Sequence, residues 1–446
     1  MTGLEIYKQL PKKNCGECGP PTCLAFAMAL AAGKASLEAC PYVSEAAREA
    51  LASAAAPPIR LVKVGPDSKA IELGDETVIF RHEKTFVHPT AIAIEVGDDL
   101  PEAELSARLQ KVASLTLERV GQTYRPDMVA VVFRSGDPAR FKAAVAKAAQ
   151  TELGLMLSAD DPAVMAEAVE PVAVRRPLIY PATAQNAEAM VELAKKHGLP
   201  LGVRAQGLDG LATLVEKIVG LGHRDLVLDP GRPEASARLA DFTQIRRLAI
   251  KKRFRPLGYP TLAFTAAADP GDEILEAAGL VARYCSLVVL KACERHQLLP
   301  LLTWRQNVFT DPQKPIQVQS RLYTVGQVTP ASPFYVTTNF SLTYFSVEGE
   351  VEASKVPAYI LPVDTDGTSV LTSWAAGKFT GESIAEAMKK SGIEEKVQHR
   401  EVVIPGHVAV LSGKLQEASG WKVVVGPREA SGIPSFARSR YGAPRA

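Results

Sequence analysis

Cys15, Cys18, Cys23 and Cys40 follow a C-x2-C-x4-C-x16-C spacing, and Pro41 comes directly after the last of them. Three thiols within nine residues, with a fourth a short helix away, can wrap one compact metal centre. Gly16 and Gly19 let the backbone take positive φ and approach that centre closely. All-thiolate sets, including those that end in Cys-Pro, hold iron–sulfur clusters. A 4Fe–4S cluster is the leading expectation, and its chemistry is one-electron transfer. Structural zinc also takes four thiolates, but usually from two C-x2-4-C knuckles set well apart. Here Cys23 and Cys40 are split by sixteen residues that read as helix. Zinc, and then unliganded thiols, stay open behind the cluster. A disulfide framework does not fit six cysteines in 446 residues. Cys285 and Cys293 lie in an apolar stretch and read as inert buried thiols.

The formal net charge is only +2 and 47% of residues are hydrophobic. That balance fits a well-packed multidomain protein and supplies no basic field for nucleic acid. The apolar run 24–32 is far too short to span a membrane. It reads as a helix beside the cysteines, ended by Gly33. With no targeting segment evident, a cytoplasmic location is expected.

The elements that must position these thiols begin with a small cysteine domain over 1–56. Its alanine-rich stretch 46–56 is helical in character and stops at Pro57-Pro58. Residues 57–89 read as a linker with short antiparallel strands at 59–64 and 70–80. From 90 to 310, eight candidate strands alternate with helices: 91–96, 128–133, 154–158, 177–180, 201–204, 226–229, 261–265 and 287–290. Helix 102–120 carries Leu105, Leu109 and Val112 on one face, and helix 186–197 ends at Gly198. This alternation predicts a TIM (β/α)8 barrel, with a doubly wound sheet as the other solution. Glu95, Asp98, Arg134, Asp160, Arg204, Asp229 and Lys291 fall at strand C-termini, where a barrel enzyme keeps its catalytic groups. They equally suit hydrogen bonding around the mouth or a partner subunit, because no nucleophile–base or metal-ligand set stands out among them.

After Pro300 the pattern loosens through Asn307, Asp311 and Pro312. Residues 326–446 then read as an open, Rossmann-like α/β sheet, with strands 335–339, 358–361, 402–404 and 422–425 and helices 369–377, 383–390 and 408–417. Ligands of such sheets sit beyond the strand C-termini. Three loops leave those ends. The first is Asp364 to Thr372, turning at Gly367. The second is Ile404-Pro405-Gly406-His407-Val408. The third is Gly426 to Pro434. Together they suit a large ligand with a phosphate and many amides. Neither G-x-G-x-x-G after a strand nor G-x-x-x-x-G-K-[ST] occurs. His407 alone in these loops reads as a surface or capping side chain.

With the four cysteines, the barrel and the terminal α/β unit in that order, the chain resembles the large (gamma) subunit family of corrinoid iron–sulfur proteins of the acetyl-CoA (Wood–Ljungdahl) pathway. The runs Thr338-Asn339-Phe340-Ser341-Leu342-Thr343-Tyr344-Phe345 and Thr368 to Phe379 look like the family's corrinoid-domain stretches. The resemblance implies a methyl carrier in carbon fixation. A cobamide cycles between Co(I) and methyl-Co(III), taking methyl from methyltetrahydrofolate on a separate methyltransferase and delivering it to acetyl-CoA synthase. It also implies a 4Fe–4S cluster that returns stray Co(II) to Co(I), a heterodimer with a small subunit, and carbon monoxide dehydrogenase/acetyl-CoA synthase as a partner. Some corrinoid carriers ligate cobalt through D-x-H-x-x-G; none of the seven histidines lies in that motif, so a base-off cobamide is expected. Thr372 is the candidate nearest the cobalt. Thr338, Asn339, Tyr344, Thr368, Ser369, Val370, Leu371, Gly377, Gly406, Gly426, Ser431 and Gly432 are the candidates for the remaining corrinoid contacts. Behind the double proline, the cysteine domain is expected to swing toward the cobalt. Two alternatives stand beside this reading: a pterin-dependent methyltransferase barrel using Asp160 or Asp229, and an electron-transfer subunit without corrinoid.

Overall fold

The computed structural model describes residues 3–31, 35–44, 47, 57–119, 122–311 and 315–442. The helix expected at 46–56 lies outside them except for Ala47, as do Gly33 and Pro312. Residues 1–79, 87–113 and 126–293 form one compact unit, and 80–86, 114–125 and 294–446 a second.

The first unit opens with α1 (Gly3–Gln9) and α2 (Cys23–Ala31). Phe26 and Ala27 are fully buried between them, with Ile6, Leu10 and Val43 around. The barrel follows: β1 (Ala91–Gly97), β2 (Met128–Val132), β3 (Gly154–Ser158), β4 (Leu178–Ala182), β5 (Leu201–Arg204), β6 (Leu226–Asp229), β7 (Leu262–Phe264) and β8 (Leu287–Leu290). All pair in parallel, in the order β6-β5-β4-β3-β2-β1-β8-β7. A Leu228–Thr261 bridge and the Leu228 amide donating to the Pro260 carbonyl (2.8 Å) draw β6 to β7 and nearly close the ring. Both faces of these strands are buried, which explains their continuous apolar runs. Ala91, Ala93, Met128, Ala130, Met156, Val227 and Val289 fill the interior, while Ile92, Ile94, Val129 and Val131 are buried on the other side of the pleat.

The strand expected over 70–80 is shorter. Val62–Val64 pairs antiparallel with Ile71–Leu73 and stops at Gly74. At φ +93°, Gly74 passes so close to the Arg60 carbonyl that a Cβ would stand 2.1 Å from it. Val62, Val64 and Leu73 join the barrel-interior cluster and plug its N-terminal end. Beyond the turn, Glu76 accepts from the Val87 amide (2.8 Å) and pairs with Arg246 (2.8 Å), both side chains being under a tenth exposed.

In the second unit, the expected helix 102–120 gives way after Ser114 to an antiparallel hairpin, Leu117–Arg119 with Gln122–Tyr124. It packs on helix Arg295–Phe309, where the Gln306 side-chain amide donates to Gln122 (3.2 Å). Tertiary packing has overridden local helix propensity here. Helix Arg295–Phe309 itself continues through Pro300, supported by a Glu294–Gln297 capping box and buried Leu298, Leu301 and Leu302. It lies within the span first read as barrel and belongs to the second unit.

The terminal sheet has five strands: β9 (Tyr323–Val325), β10 (Phe334–Thr338), β11 (Ala358–Val363), β12 (Glu401–Ile404) and β13 (Lys422–Val425). Their order is β9-β11-β10-β12-β13, with β9 an antiparallel edge. α5 (Gly381–Ser391) and α6 (Ser412–Ser419) cover Phe334, Val336, Leu361 and Trp421. α3 (Ser341–Ser354) and α7 (Ile433–Tyr441) cover Tyr335, Ile360, Val403 and Val424. Sequence reading passes over α3 because its Ser, Thr, aromatic and Val residues are weak helix formers. The expected helix 408–417 is broken: Gly406–Leu411 is a 3-10 turn, kinked at Val408, and α6 follows.

The buried Glu76–Arg246 pair ties the post-hairpin segment to the barrel. Arg246→Met should cost about 3–5 kcal/mol in urea unfolding, because Glu76 is left buried and unpaired. Adding Glu76→Gln should recover about half of that, since the amide still accepts from Val87 and carries no charge.

Candidate cluster and cofactor sites

The four N-terminal cysteines occupy one neighbourhood. Cys23 and Cys40 are buried, Cys18 is half-buried and Cys15 is exposed. Cys18, Cys23 and Cys40 belong to the apolar cluster around Phe26. Burial pushes the Cys18 thiol up, with further upward pressure from Cys40, Cys15 and Cys23, so the sulfurs lie within electrostatic reach of one another. The Asn14 amide donates to Cys23 Sγ (3.4 Å), and the Cys23 amide donates to Asn14 Oδ1 (2.8 Å). Cys23 also opens α2, whose N-terminal dipole favours a thiolate. Gly16 and Gly19 turn the chain around this group at φ +76° and +97°. Among the described residues, no three His, Cys, Asp or Glu side chains converge to hold a metal ion. Neighbouring thiols, an apolar wall and one exposed edge fit a polynuclear cluster that exchanges electrons across the surface.

A cavity of about 400 Å³ opens at the C-terminal ends of β10, β12 and β13, between the sheet and α3. Tyr335 and Thr337 point into it from one face of β10, and Thr343 and Ser346 line it from α3. Tyr335 Oη and Thr337 Oγ1 are buried with no partner, as are the hydroxyls of Thr338 and Ser341 next to them. Burial pushes the Tyr335 phenol well up. Buried hydroxyls without partners are costly, and the two that line the cavity, on Tyr335 and Thr337, mark a surface shaped for a ligand rich in hydrogen-bonding groups.

The loops complete the mouth. Ser369, Val370 and Leu371 come from the start of α4 (Val370–Ala375); Pro405 and His407 from the second loop; Gly426, Pro427, Arg428 and Glu429 from the third. The second and third loops touch backbone to backbone at Gly406, where a Cβ would meet the Gly426 carbonyl at 2.6 Å and the Arg428 nitrogen at 2.8 Å. His407 Nε2 lies 3.3 Å from Glu429 Oε1. Leu342, Leu371, Trp374 and Val425 are exposed in this region and give it an apolar character.

Asn339 anchors the first loop. Its Oδ1 accepts from the Thr365 amide (3.0 Å), Thr365 Oγ1 (3.1 Å) and the Gly367 amide (3.0 Å), and its Nδ2 donates to Gln317 Oε1 (3.1 Å) and Asp364 Oδ1 (3.0 Å). Thr368 Oγ1 donates to the Thr365 carbonyl (2.7 Å) and lies 2.6 Å from Ser373 Oγ. Tyr344, on α3, donates to Glu348 (2.8 Å) and is buried. Thr372 is exposed, its Oγ1 3.0 Å from Ser369 Oγ. The cavity therefore gathers Ser369, Val370, Leu371 and Gly426. Thr338, Asn339, Tyr344, Thr368, Thr372, Gly377, Gly406, Ser431 and Gly432 are not among its lining residues. Sequence reading missed Tyr335, Thr337 and Ser346. The available signal was two polar side chains two residues apart on an otherwise apolar central strand.

The barrel-mouth residues separate into two groups. Asp98 accepts from the Arg134 and Ser135 amides (2.6 and 2.8 Å), and Glu95 pairs with Arg134, so these close turns. Asp229 instead lies in a cavity with Arg204 and Tyr180.

The family described as "CO dehydrogenase/acetyl-CoA synthase delta subunit" matches residues 61–437, and that described as "Putative Fe-S cluster" matches 10–42. The corrinoid/iron-sulfur protein large subunit of Moorella thermoacetica is 60% identical over 98% of this chain and 99% of its own. The acetyl-CoA decarbonylase/synthase complex gamma subunits of Methanopyrus kandleri and Methanothermobacter thermautotrophicus are 38% and 36% identical, each over 98% of this chain and at least 97% of their own. This chain belongs to the family that unites corrinoid/iron-sulfur protein large subunits with the gamma subunits of the acetyl-CoA decarbonylase/synthase complex.

Proposed function

We propose that this chain is the large subunit of a methyl carrier in the acetyl-CoA pathway, with a 4Fe–4S cluster on Cys15, Cys18, Cys23 and Cys40 and a cobamide at the C-terminal sheet. The observation that carries the reading is the slot beside β10, lined by the unpartnered buried hydroxyls of Tyr335 and Thr337. When bound, the cobamide supplies the cobalt that accepts and releases a methyl group, and the cluster supplies the electrons that keep that cobalt active.

Each part of the chain has a task in this reading. Residues 1–56 hold the cluster, 57–89 connect it, the barrel lies within 90–293, and 326–446 hold the cobamide. Tyr335, Thr337 and Ser346 hydrogen-bond the nucleotide tail in the slot. Ser369, Val370, Leu371 and Gly426 meet the corrin edge, on loops shaped by Asn339, Thr368, Gly406 and Gly432. Thr372 offers its exposed hydroxyl on the cobalt side, with Thr338, Tyr344, Gly377 and Ser431 supporting the contact surface. His407 lies 3.3 Å from Glu429 and outside any D-x-H-x-x-G motif, so it would not serve as a cobalt ligand, and the cobamide would be held base-off as the family resemblance implies. The apolar region at the mouth suits a small subunit in a heterodimer. The further partners are a methyltetrahydrofolate:corrinoid methyltransferase and carbon monoxide dehydrogenase/acetyl-CoA synthase, in the cytoplasm. Among the described residues no helix is long and apolar enough to cross a membrane.

Anaerobic purification with the small subunit should yield corrinoid absorption with about one cobalt and about four irons per chain. Cobalt below about a tenth of that value, with the iron in place, would leave an electron-transfer subunit instead. Cys18→Ala should lose iron and keep corrinoid. Thr337→Val should stabilise the corrinoid-free chain by about 1 kcal/mol, because a buried unpartnered hydroxyl is removed. The same change should weaken corrinoid retention about tenfold. Asn339→Ala should cost about 2–3 kcal/mol and expose the Thr365 and Gly367 amides to hydrogen exchange first.

A further inference from the structure

The barrel has a second cavity, of about 300 Å³, that the methyl-carrier reading leaves without a role. It sits at the C-terminal ends of β3 to β7, the side on which barrel enzymes bind their ligands. Three arginines line it, from three different segments: Arg204 ends β5, Arg232 follows β6, and Arg238 lies on helix Ala235–Lys251.

Each guanidinium is set for a ligand in its own way. Arg238 is 3% exposed. It donates to the carbonyls of Phe264 and Pro233 and pairs with Glu276, yet its buried Nε has no partner. Arg232 donates through Nε to Asp241 Oδ2 (2.9 Å), which fixes the plane of its fork from behind. Room for that fork is kept by Gly207, whose absent Cβ would stand 3.2 Å from Arg232 Nη2. Arg204 is half-exposed, and its closest carboxylate, Asp229, is 4.0 Å from Nε. Asp229 is itself satisfied, by the Tyr180 hydroxyl (2.6 Å) and the Gly231 amide (2.8 Å). The lining thus holds three guanidiniums and one carboxylate already engaged elsewhere. The Tyr180 and Phe264 rings, 5.4 Å apart and tilted by 34°, supply an aromatic wall.

We propose that this barrel-mouth cavity binds a small organic oxyanion, its charged head on Arg204, Arg232 and the Arg238 Nε, and its flat body against Tyr180 and Phe264. Planar guanidinium forks match carboxylate and phosphate oxygens in pairs, and a buried donor with no partner gains most from such an acceptor. An aromatic body adds ring stacking that an inorganic anion cannot supply.

The test is calorimetric titration of the full chain with phenyl phosphate, benzoate and inorganic phosphate at low ionic strength, where charge contacts are least screened. At least one aromatic oxyanion should bind with a dissociation constant near or below about 1 mM, and more tightly than inorganic phosphate. The tighter of the two identifies a phosphoryl or a carboxyl head. Arg204→Gln should weaken it at least about tenfold. Arg204 is half-exposed, so this change leaves the fold intact, as circular dichroism would check. Arg232→Lys, which keeps charge and loses the fork, should weaken it severalfold. The proposal is overturned if neither aromatic anion binds below about 10 mM, if phenol binds as tightly as either, or if Arg204→Gln leaves the affinity unchanged.

Discussion

In both α/β units the central strands run parallel and are buried on both faces. Backbone pairing consumes every strand N–H and C=O, and side chains above and below must be apolar. Polar chemistry is thereby driven to the edge where the strands end and the loops begin. The barrel obeys this along its whole ring: Ile92, Ile94, Val129 and Val131 are buried mid-strand, while Asp98, Arg204 and Asp229 appear at the C-terminal rim. The terminal sheet places its three ligand loops by the same rule.

Strand β10 is where the rule is broken. Tyr335, Thr337 and Thr338 put hydroxyls inside the layer, and Ser341 adds another at the start of α3. Each unpartnered hydroxyl costs about 1–3 kcal/mol. The strand is held in place regardless by Phe334 and Val336 on its other face, fully enclosed with Trp421 and Phe379. That core gives the sheet enough stability to carry a destabilised surface, and a ligand that hydrogen-bonds the Tyr335 and Thr337 hydroxyls in the cavity would then stabilise the domain through mass action.

The cluster and the cofactor slot are built differently because their ligands bind differently. Thiolates bind iron directly, so under the proposed reading the cysteine domain needs only to bring four sulfurs into one neighbourhood and bury Cys23 and Cys40, which two short helices and a small apolar core accomplish. The cobamide proposed for the slot would be held through many weak contacts along its length. That demands a rigid sheet, a slot of fixed depth and loops pinned in position, the last supplied by the five hydrogen bonds of Asn339.

The cysteine motif, the barrel strands and the three glycine-bearing loops are legible from residue order, since ligand spacing, apolar runs and turn residues are local properties of the chain. Barrel strand limits fall within two residues of the observed ones for the same reason, whereas the strand expected over 70–80 ends at Leu73. What residue order leaves open is facing and partnership. Thr338 reads as a contact from its motif, yet a one-residue step along a strand reverses the face, and Thr337 is the residue that lines the slot. Asn339 reads as a ligand contact but spends its amide on the loop beside it. Arg204, Arg232 and Arg238 carry no shared motif and meet only because consecutive strands of a nearly closed barrel deliver their C-terminal loops to one rim. Local sequence decides which elements form; the folding of distant segments onto one another decides which side chains share a space.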